Sequence, residues 1–140
     1  MKRLVVDASV VAKWLLPEVH SAAAARLLGG DRELWAPDLL WAEVGNVLWK
    51  KWRRGEIQAQ TAAALLGDFR RLPLSIHPSD LLCEGAWEIA CGLGRTFYDS
   101  LYLALATKHG CPLVTADRKL WNALHDGLAG TSLLWVEDVS

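Results

Sequence analysis

Short apolar segments alternate along the chain with longer segments in which apolar residues recur every three or four positions. An apolar run, Leu4-Val5-Val6, lies near the start of the chain, further short runs occur at residues 34–36, 112–115 and 133–136, and residues 74–76 form a short segment of alternating character. Unbroken apolar runs are typical of strands buried on both faces, and their alternation with helices is typical of a parallel sheet. The pattern therefore predicts an α/β fold with a mainly parallel central sheet of four to five strands flanked by helices.

The segments between these runs carry helix start and stop signals. The most regular helix is predicted from Asp38, as N-cap, to a basic last turn at Arg54, followed by Gly55. Residues 98–109 predict a helix that is apolar almost all round and ends at Gly110. Five other helices are predicted. The first has Ser9 as its N-cap and stops near Pro17, and two more span residues 21–28 and 57–72. A fourth runs from Ser79 or Asp80 to Gly92 or Gly94, and the last follows Asp117 and continues through Leu124.

Length and composition indicate one domain over residues 1–140. A chain of 140 residues with 52% hydrophobic content can bury one sizeable core. No apolar run approaches the roughly 18 residues of a membrane span, and no signal-peptide core follows the first residues, so we expect a cytoplasmic protein without membrane association. Cys83, Cys91 and Cys111 lack metal-ligand spacing and are interpreted as reduced, partly buried thiols.

Four carboxylates are placed to meet at one edge of the predicted sheet. Asp7 and Asp117 follow two of the strands, Asp99 opens the helix before the second of these strands, and Glu43 lies in the second turn of a helix that follows another strand. In open α/β sheets the site lies at the carboxyl ends of the strands. Each acid also has an ordinary interpretation: Asp99 in a favourable first helical turn, Asp117 as an N-cap, and Glu43 as a solvated partner of Lys50.

The chemistry of four converging carboxylates favours a divalent cation. Their mutual repulsion raises their pKa values unless a cation offsets the charge, and all-oxygen ligands suit Mg²⁺ or Mn²⁺. The chain has neither a GxxxxGK[ST] nor a GxGxxG loop, and an aspartyl-phosphate enzyme would need a second acid where Ser9 stands. With these classes of phosphate chemistry disfavoured, the remaining interpretation is attack of a metal-activated water on a phosphodiester, with one or two ions. A net charge of −1 requires any phosphate binding to be local.

Four segments together resemble the signature pieces of the PIN-domain ribonucleases, and the chain's size resembles the VapC-type toxins of toxin–antitoxin pairs. The segments are LVVDAS at residues 4–9, EVGNVL at 43–48, DSLYLALA at 99–106 and LVTAD at 113–117. The resemblance implies a Mg²⁺-dependent endoribonuclease in which Asp7, Glu43, Asp99 and Asp117 are the catalytic and metal-binding acids. It also implies supporting hydroxyls at Ser9 and Thr115.

The same resemblance implies partners. These are an RNA substrate, a second copy of the chain in a homodimer, and a cognate antitoxin whose C-terminal segment covers the catalytic groove. A second hypothesis stays open, in which the chain is a catalytically inert PIN-like module that acts only through protein binding. Of the eight tryptophans we expect most to be core, whereas Trp49 lies opposite the apolar stripe of its helix and is a candidate for partner contact.

Overall fold

The computed structural model describes residues 2–127 and 133–140, and within these ranges it contains five strands and seven α-helices. The strands are β1 (Lys2–Val6), β2 (Arg32–Pro37), β3 (Leu74–His77), β4 (Leu113–Thr115) and β5 (Leu133–Trp135). The helices are α1 (Ala8–Leu15), α2 (Ser21–Ala25), α3 (Leu39–Arg53), α4 (Ala59–Arg70), α5 (Cys83–Leu93), α6 (Phe97–His109) and α7 (Arg118–Leu124).

The five strands form one sheet in the order β3-β2-β1-β4-β5, and all four pairings are parallel. The predicted α/β class and parallel sheet are therefore confirmed. Leu4, Val5 and Val6 of the central strand are fully buried, which explains their unbroken apolar run. The chain builds outward from β1 to β3 and then returns to the other side of β1, so the strand order reverses between β1 and β4. A crevice forms at the carboxyl ends of strands at such a point.

Helix α6 is the most deeply buried helix and packs against β1, β2 and β4 on one side and α5 on another. Every residue from Ser100 to Ala106 is buried, as the almost wholly apolar pattern predicted. The helix begins where the Thr96 hydroxyl accepts the Asp99 N–H at 3.0 Å, and it ends at Gly110, whose φ of 61° suits a residue without a Cβ. Burial of its leucines, at about 1.5–3 kcal/mol each, holds the first turn in a fixed place at the sheet edge.

Two capping predictions are wrong, and a third is confirmed in position only. Asp7, not Ser9, is the N-cap of α1, because its carboxylate already accepts the Val10 N–H at 3.2 Å. Asp38 is at the N-cap position of α3, as predicted, but its side chain makes no capping hydrogen bond and instead accepts the backbone N–H and hydroxyl of Ser79. With Ser79 so engaged, neither it nor Asp80 caps α5, which follows a 3-10 turn at Ser79–Leu82.

The expectation that most tryptophans are core is also wrong. Trp135 is buried and three other tryptophans pack half-buried against the core, whereas Trp41, Trp49, Trp52 and Trp87 are 39%, 53%, 44% and 64% exposed, so half of the eight rather than most belong to the core. Helix α3 is covered on one side only, so its buried residues reduce to Leu40, Val44 and Leu48. The exposed face of Trp49 agrees with its predicted position opposite the stripe.

The cysteine prediction is confirmed only in part. All three thiols are free, but Cys83 and Cys91 are exposed rather than partly buried, because α5 lies on the outside of α6. Cys111, beside β4, is buried. Across residues 2–127 and 133–140, none of the helices combines the length and the hydropathy needed to cross a bilayer.

Candidate active site

One small cavity at the switch point between β1 and β4 is lined by all four predicted acids. Asp7 follows β1, Asp117 follows β4, Glu43 comes from the second turn of α3 and Asp99 from the first turn of α6. The cavity has a volume of about 80 Å³, and its remaining lining residues are Ala8, Ser9, Tyr102 and Leu120. The structure thus brings the four predicted residues to one place. Their catalytic and metal-binding roles stay predictions.

Asp7 is the centre of a hydrogen-bond network that joins the ends of β1 and β4. The Ser9 hydroxyl donates to Oδ1 of Asp7, and the Thr115 hydroxyl donates to Oδ2 at 2.5 Å. Each hydroxyl also accepts a backbone N–H, Ser9 from Ala116 at 2.9 Å and Thr115 from Asp117 at 3.0 Å. Since a hydroxyl has one proton to donate, the two backbone donors leave both protons directed at Asp7. Ser9 and Thr115 therefore position this carboxylate, and their role as supporting hydroxyls of a catalytic site stays a prediction.

Burial changes the proton affinity of Asp7. The residue is 8% exposed, and burial raises the pKa of its carboxyl from 3.8 to about 6, with the charge of Asp117 adding to the rise. The hydrogen bonds from Ser9, Thr115 and the Val10 N–H act in the opposite direction without cancelling it. Asp7 is therefore a carboxylate whose charge lacks compensation in the protein alone.

Glu43 is a half-buried residue of the cavity lining. Burial raises the pKa of Glu43, the nearby Tyr102 side chain lowers it by less, and the charge of Asp99 adds to the rise. Within the described part of the chain it forms no ion pair, so the alternative interpretation as a partner of Lys50 is not what the structure shows. Like Asp7, Glu43 is a carboxylate in need of a proton or a cation.

Tyr102 is a cavity residue that sequence reasoning missed. Its side chain is 3% exposed, and its hydroxyl, next to Glu43, has no hydrogen-bond partner among the residues described. Burial and the nearby charge of Glu43 raise the pKa of Tyr102 far above its usual range, so the hydroxyl keeps its proton. The spacing of three residues from Asp99 could have revealed it, because residues three apart share a helix face.

Asp99 and Asp117, the other two acids, each have a partner in the protein. Arg95 pairs with Asp99, with 3.0 Å between Nη2 and Oδ2. Asp117 is the N-cap of α7 and accepts the N–H groups of Lys119 and Leu120 through Oδ1. The ordinary interpretation of Asp117 as a cap is thus confirmed, and the same side chain still lines the cavity.

Comparison with known proteins identifies the family. The PIN domain model matches residues 4–123, which is most of the chain. The chain belongs to the PIN-domain family. It is 38% identical over 120 residues to Ribonuclease VapC3 of Pyrobaculum aerophilum, a match that covers 84% of this chain and 92% of the relative. This similarity groups the PIN domain with the VapC proteins.

Solved structures share the architecture of this PIN domain. The crystal structure of PAE2754 from Pyrobaculum aerophilum superposes with a TM-score of 0.67 at 28% identity and covers 97% of this chain and 85% of that one. A chain of a toxin–antitoxin complex from Klebsiella pneumoniae superposes with a TM-score of 0.64 at 15% identity, covering 97% and 99%. The second likeness concerns the fold alone.

The acids of the PIN domain fit a hydrated hard cation. Within the described ranges, no group of three or more His, Cys, Asp or Glu side chains is drawn together tightly enough to hold a bare ion. However, Mg²⁺ keeps several waters and needs only one or two carboxylates directly, and about 80 Å³ holds roughly two water molecules at about 30 Å³ each. The unpartnered Tyr102 hydroxyl and the raised pKa values of Asp7 and Glu43 indicate that the cavity suits such a cation.

Proposed function

We propose that this PIN domain is a Mg²⁺-dependent endoribonuclease, with Mn²⁺ as a possible substitute, and that it acts in the cytoplasm as the toxin of a toxin–antitoxin pair. The observation that carries the proposal is the convergence of Asp7, Glu43, Asp99 and Asp117 on one cavity at the switch point of the sheet. The ribonuclease names of the VapC relatives support the substrate class.

In this proposal each acid has a distinct part. When bound, one or two cations supply positive charge that offsets the acids and stabilises the leaving oxygen of a scissile phosphodiester. Asp7, held at both oxygens by Ser9 and Thr115, would be the most fixed ligand, and Glu43, Asp99 and Asp117 would complete the set. Glu43 accepts a proton at its carboxylate from the attacking water, because its raised pKa suits a general base.

The test is cleavage of single-stranded RNA by the purified protein with Mg²⁺ and with EDTA. We expect cleavage that requires Mg²⁺ and falls by at least about 100-fold in Asp7→Asn, Glu43→Gln, Asp99→Asn and Asp117→Asn, a loss on the scale of one removed catalytic group. Asp80→Asn and Glu88→Gln, at exposed acids outside the cavity, are matched controls that should keep full activity. Near-normal cleavage in two or more of the four cavity variants would refute the assignment, and a protein that binds its partner without cleaving RNA would be the inert module instead.

The proposal includes control by an antitoxin that places a basic side chain among the acids. The pair of Arg95 with Asp99 shows that a guanidinium can reach one of the cavity's acids, and a partner's arginine could pair bidentately with such a carboxylate. Coexpression with the neighbouring small reading frame should give a copurifying complex that does not cleave RNA. Replacement of that partner's C-terminal Arg and Lys residues by Ala should restore cleavage, and intact inhibition in that variant would exclude this form of control.

A homodimer is also part of the proposal. Helix α3 leaves Trp41, Trp49 and Trp52 substantially exposed, which is an unusual amount of aromatic surface for a monomer. Sedimentation of the isolated protein should therefore give twice the mass of the chain. A monomer at micromolar concentration would refute the homodimer but would not affect the nuclease assignment.

A further inference from the structure

A second cavity opens beside the acids and shares Ala8 and Glu43 with them. It lies between α3 and the first turn of α6, and its volume of about 550 Å³ falls within the range of about 300–1,000 Å³ that small organic ligands occupy in proteins. We call it the Tyr98 groove, after the aromatic residue next to Asp99 in the chain. Any molecule seated in it contacts the edge of the acidic cavity.

Three exposed side chains of different chemistry line the Tyr98 groove. They are the phenol ring of Tyr98, which is 60% exposed, the amide of Asn46 and the ammonium group of Lys50. Among the described residues none of the three side chains makes a hydrogen bond or ion pair. Leu39 and Val47 add a half-buried apolar surface between them. The groove thus offers a stacking surface, a hydrogen-bonding amide and a cation that are free to bind a ligand.

We propose that the Tyr98 groove binds one unpaired nucleotide of the RNA next to the scissile phosphate, an inference that rests on the proposed ribonuclease function. An aromatic ring stacks on any base and contributes about 1–3 kcal/mol per base, a lysine neutralises one phosphate, and an amide can read the edge of a base. Because the groove shares Glu43 with the acidic cavity, a nucleotide held there directs its neighbouring phosphate to the acids.

The groove between α3 and α4 is the place better suited to a peptide. Its lining is almost wholly apolar and includes Leu48, Trp49, Trp52 and Leu66, with no charged side chain. The Tyr98 groove differs because it carries Lys50 and Asn46 and is continuous with the acids. Phosphate and base recognition need these polar groups, whereas an amphipathic helix needs an apolar surface.

The experiment measures binding of a labelled ten-nucleotide single-stranded RNA to the Asp7→Asn protein in Mg²⁺, so that cleavage does not interfere. In a second series, one base at a time is replaced by an abasic site. We expect Tyr98→Ala to weaken binding by about tenfold or more, as loss of one stacked base predicts. At one position of the RNA, an abasic site should weaken binding to the parent protein but should cause no further loss of affinity in Tyr98→Ala. Tyr98→Phe should bind within about twofold of the parent, because the ring suffices for stacking.

Two matched controls separate this groove from the general surface. Trp87→Ala removes an aromatic ring that is 64% exposed on α5 and lines neither cavity, so binding should not change. In Lys50→Gln the slope of log K against the logarithm of the salt concentration should be smaller in magnitude by about 0.7, which is the value for one phosphate of a single strand. Lys51→Gln removes a neighbouring lysine that is paired with Glu56 and should leave the slope as it is.

The outcomes distinguish this inference from the function on which it rests. If the wild-type protein does not cleave RNA, the proposed function fails and the groove has no nucleotide to bind. The inference fails while the proposed function stands if RNA is cleaved but Tyr98→Ala binds RNA like its parent and every abasic site weakens binding to both proteins equally. It also fails if Tyr98→Ala loses only the copurifying partner, because the groove is then a protein-docking surface.

Discussion

Asp7 carries a cost of ionisation that its hydrogen bonds do not remove. Its pKa of about 6 in the folded state exceeds 3.8, so the native state binds the proton more tightly than the unfolded chain does. This contribution to stability is fully present below pH 3.8 and is lost as the pH rises through 6. At neutral pH without metal, the charged carboxylate is therefore a source of instability, which a bound cation would offset.

Asp7→Asn should stabilise the protein at pH 7 when EDTA is present. The variant cannot ionise at this position, so the difference in unfolding free energy between variant and wild type should grow by about 2 kcal/mol from pH 4 to pH 7, because a shift of about two pKa units corresponds to about 3 kcal/mol and part of it is already lost at pH 4. Urea unfolding at a series of pH values measures it. Asp80→Asn serves as the control, and parallel curves for wild type and Asp7→Asn would show that burial does not raise this pKa.

Tyr102, like Asp7, carries a buried polar group that lowers the stability of the metal-free protein, but this group is neutral. Its hydroxyl is buried without a partner, and such a group costs about 1–3 kcal/mol. Tyr102→Phe should therefore raise the unfolding free energy in EDTA by about 1 kcal/mol, and it should weaken the stabilisation that Mn²⁺ provides. Thermal unfolding with and without Mn²⁺ tests both effects, with Tyr98→Phe as the matched control. A variant that is less stable in EDTA yet responds fully to Mn²⁺ would assign the hydroxyl a structural role only.

At the scale of elements, Ser9 and Thr115 link α1 and β4 through Asp7. Thr115→Val keeps the shape of a fully buried side chain but removes one donor to Asp7 and the acceptor for the Asp117 N–H. We expect a loss of about 1–3 kcal/mol in unfolding free energy at pH 7. The loss should be smaller at pH 4, where Asp7 is protonated.

Thr61→Val, at an exposed position on α4, is the control for Thr115→Val. Urea unfolding of both variants at the two pH values provides the comparison. If Thr115→Val were no less stable than Thr61→Val at pH 7, the link between β1 and β4 would contribute nothing measurable.

The sequence predicted the elements well where burial is uniform and less well where it is one-sided. The runs at Leu4–Val6 and along α6 identify their elements because residues buried on every side must all be apolar. Helix α3 was placed correctly, but Trp41 and Trp52 turned out exposed, since periodicity does not show how wide a stripe the neighbours cover.

The candidate site was predictable to the extent that charges stand out in apolar surroundings. Asp7, Glu43, Asp99 and Asp117 were found because each follows or begins a buried element. Tyr102 was not, because a tyrosine on an apolar arc does not reveal where its hydroxyl lies. Ser9 was assigned to a cap because Asp7 and Ser9 are both good cap residues, and only tertiary contacts with Ala116 and Thr115 separate their roles.

At the scale of the whole molecule, a net charge of −1 limits how RNA can be bound. Long-range attraction is weak, so affinity must come from local contacts such as those of the Tyr98 groove. If about two phosphates are neutralised, affinity should fall by less than about tenfold between about 50 and 200 mM salt. Fluorescence anisotropy with the ten-nucleotide RNA measures this. A fall of about 1,000-fold would indicate a wide basic surface instead.

The central claim is that the four acids act together as a site for a divalent cation. Calorimetric titration of Mn²⁺ into the protein tests it most directly, because the readout does not depend on which RNA is cleaved. We expect saturable binding that weakens by about tenfold or more in Asp7→Asn, Glu43→Gln, Asp99→Asn and Asp117→Asn and is unchanged in Asp80→Asn, since loss of a ligand or its support costs about that much affinity. Absence of saturable binding to the wild type, or binding that all four variants retain, would contradict it.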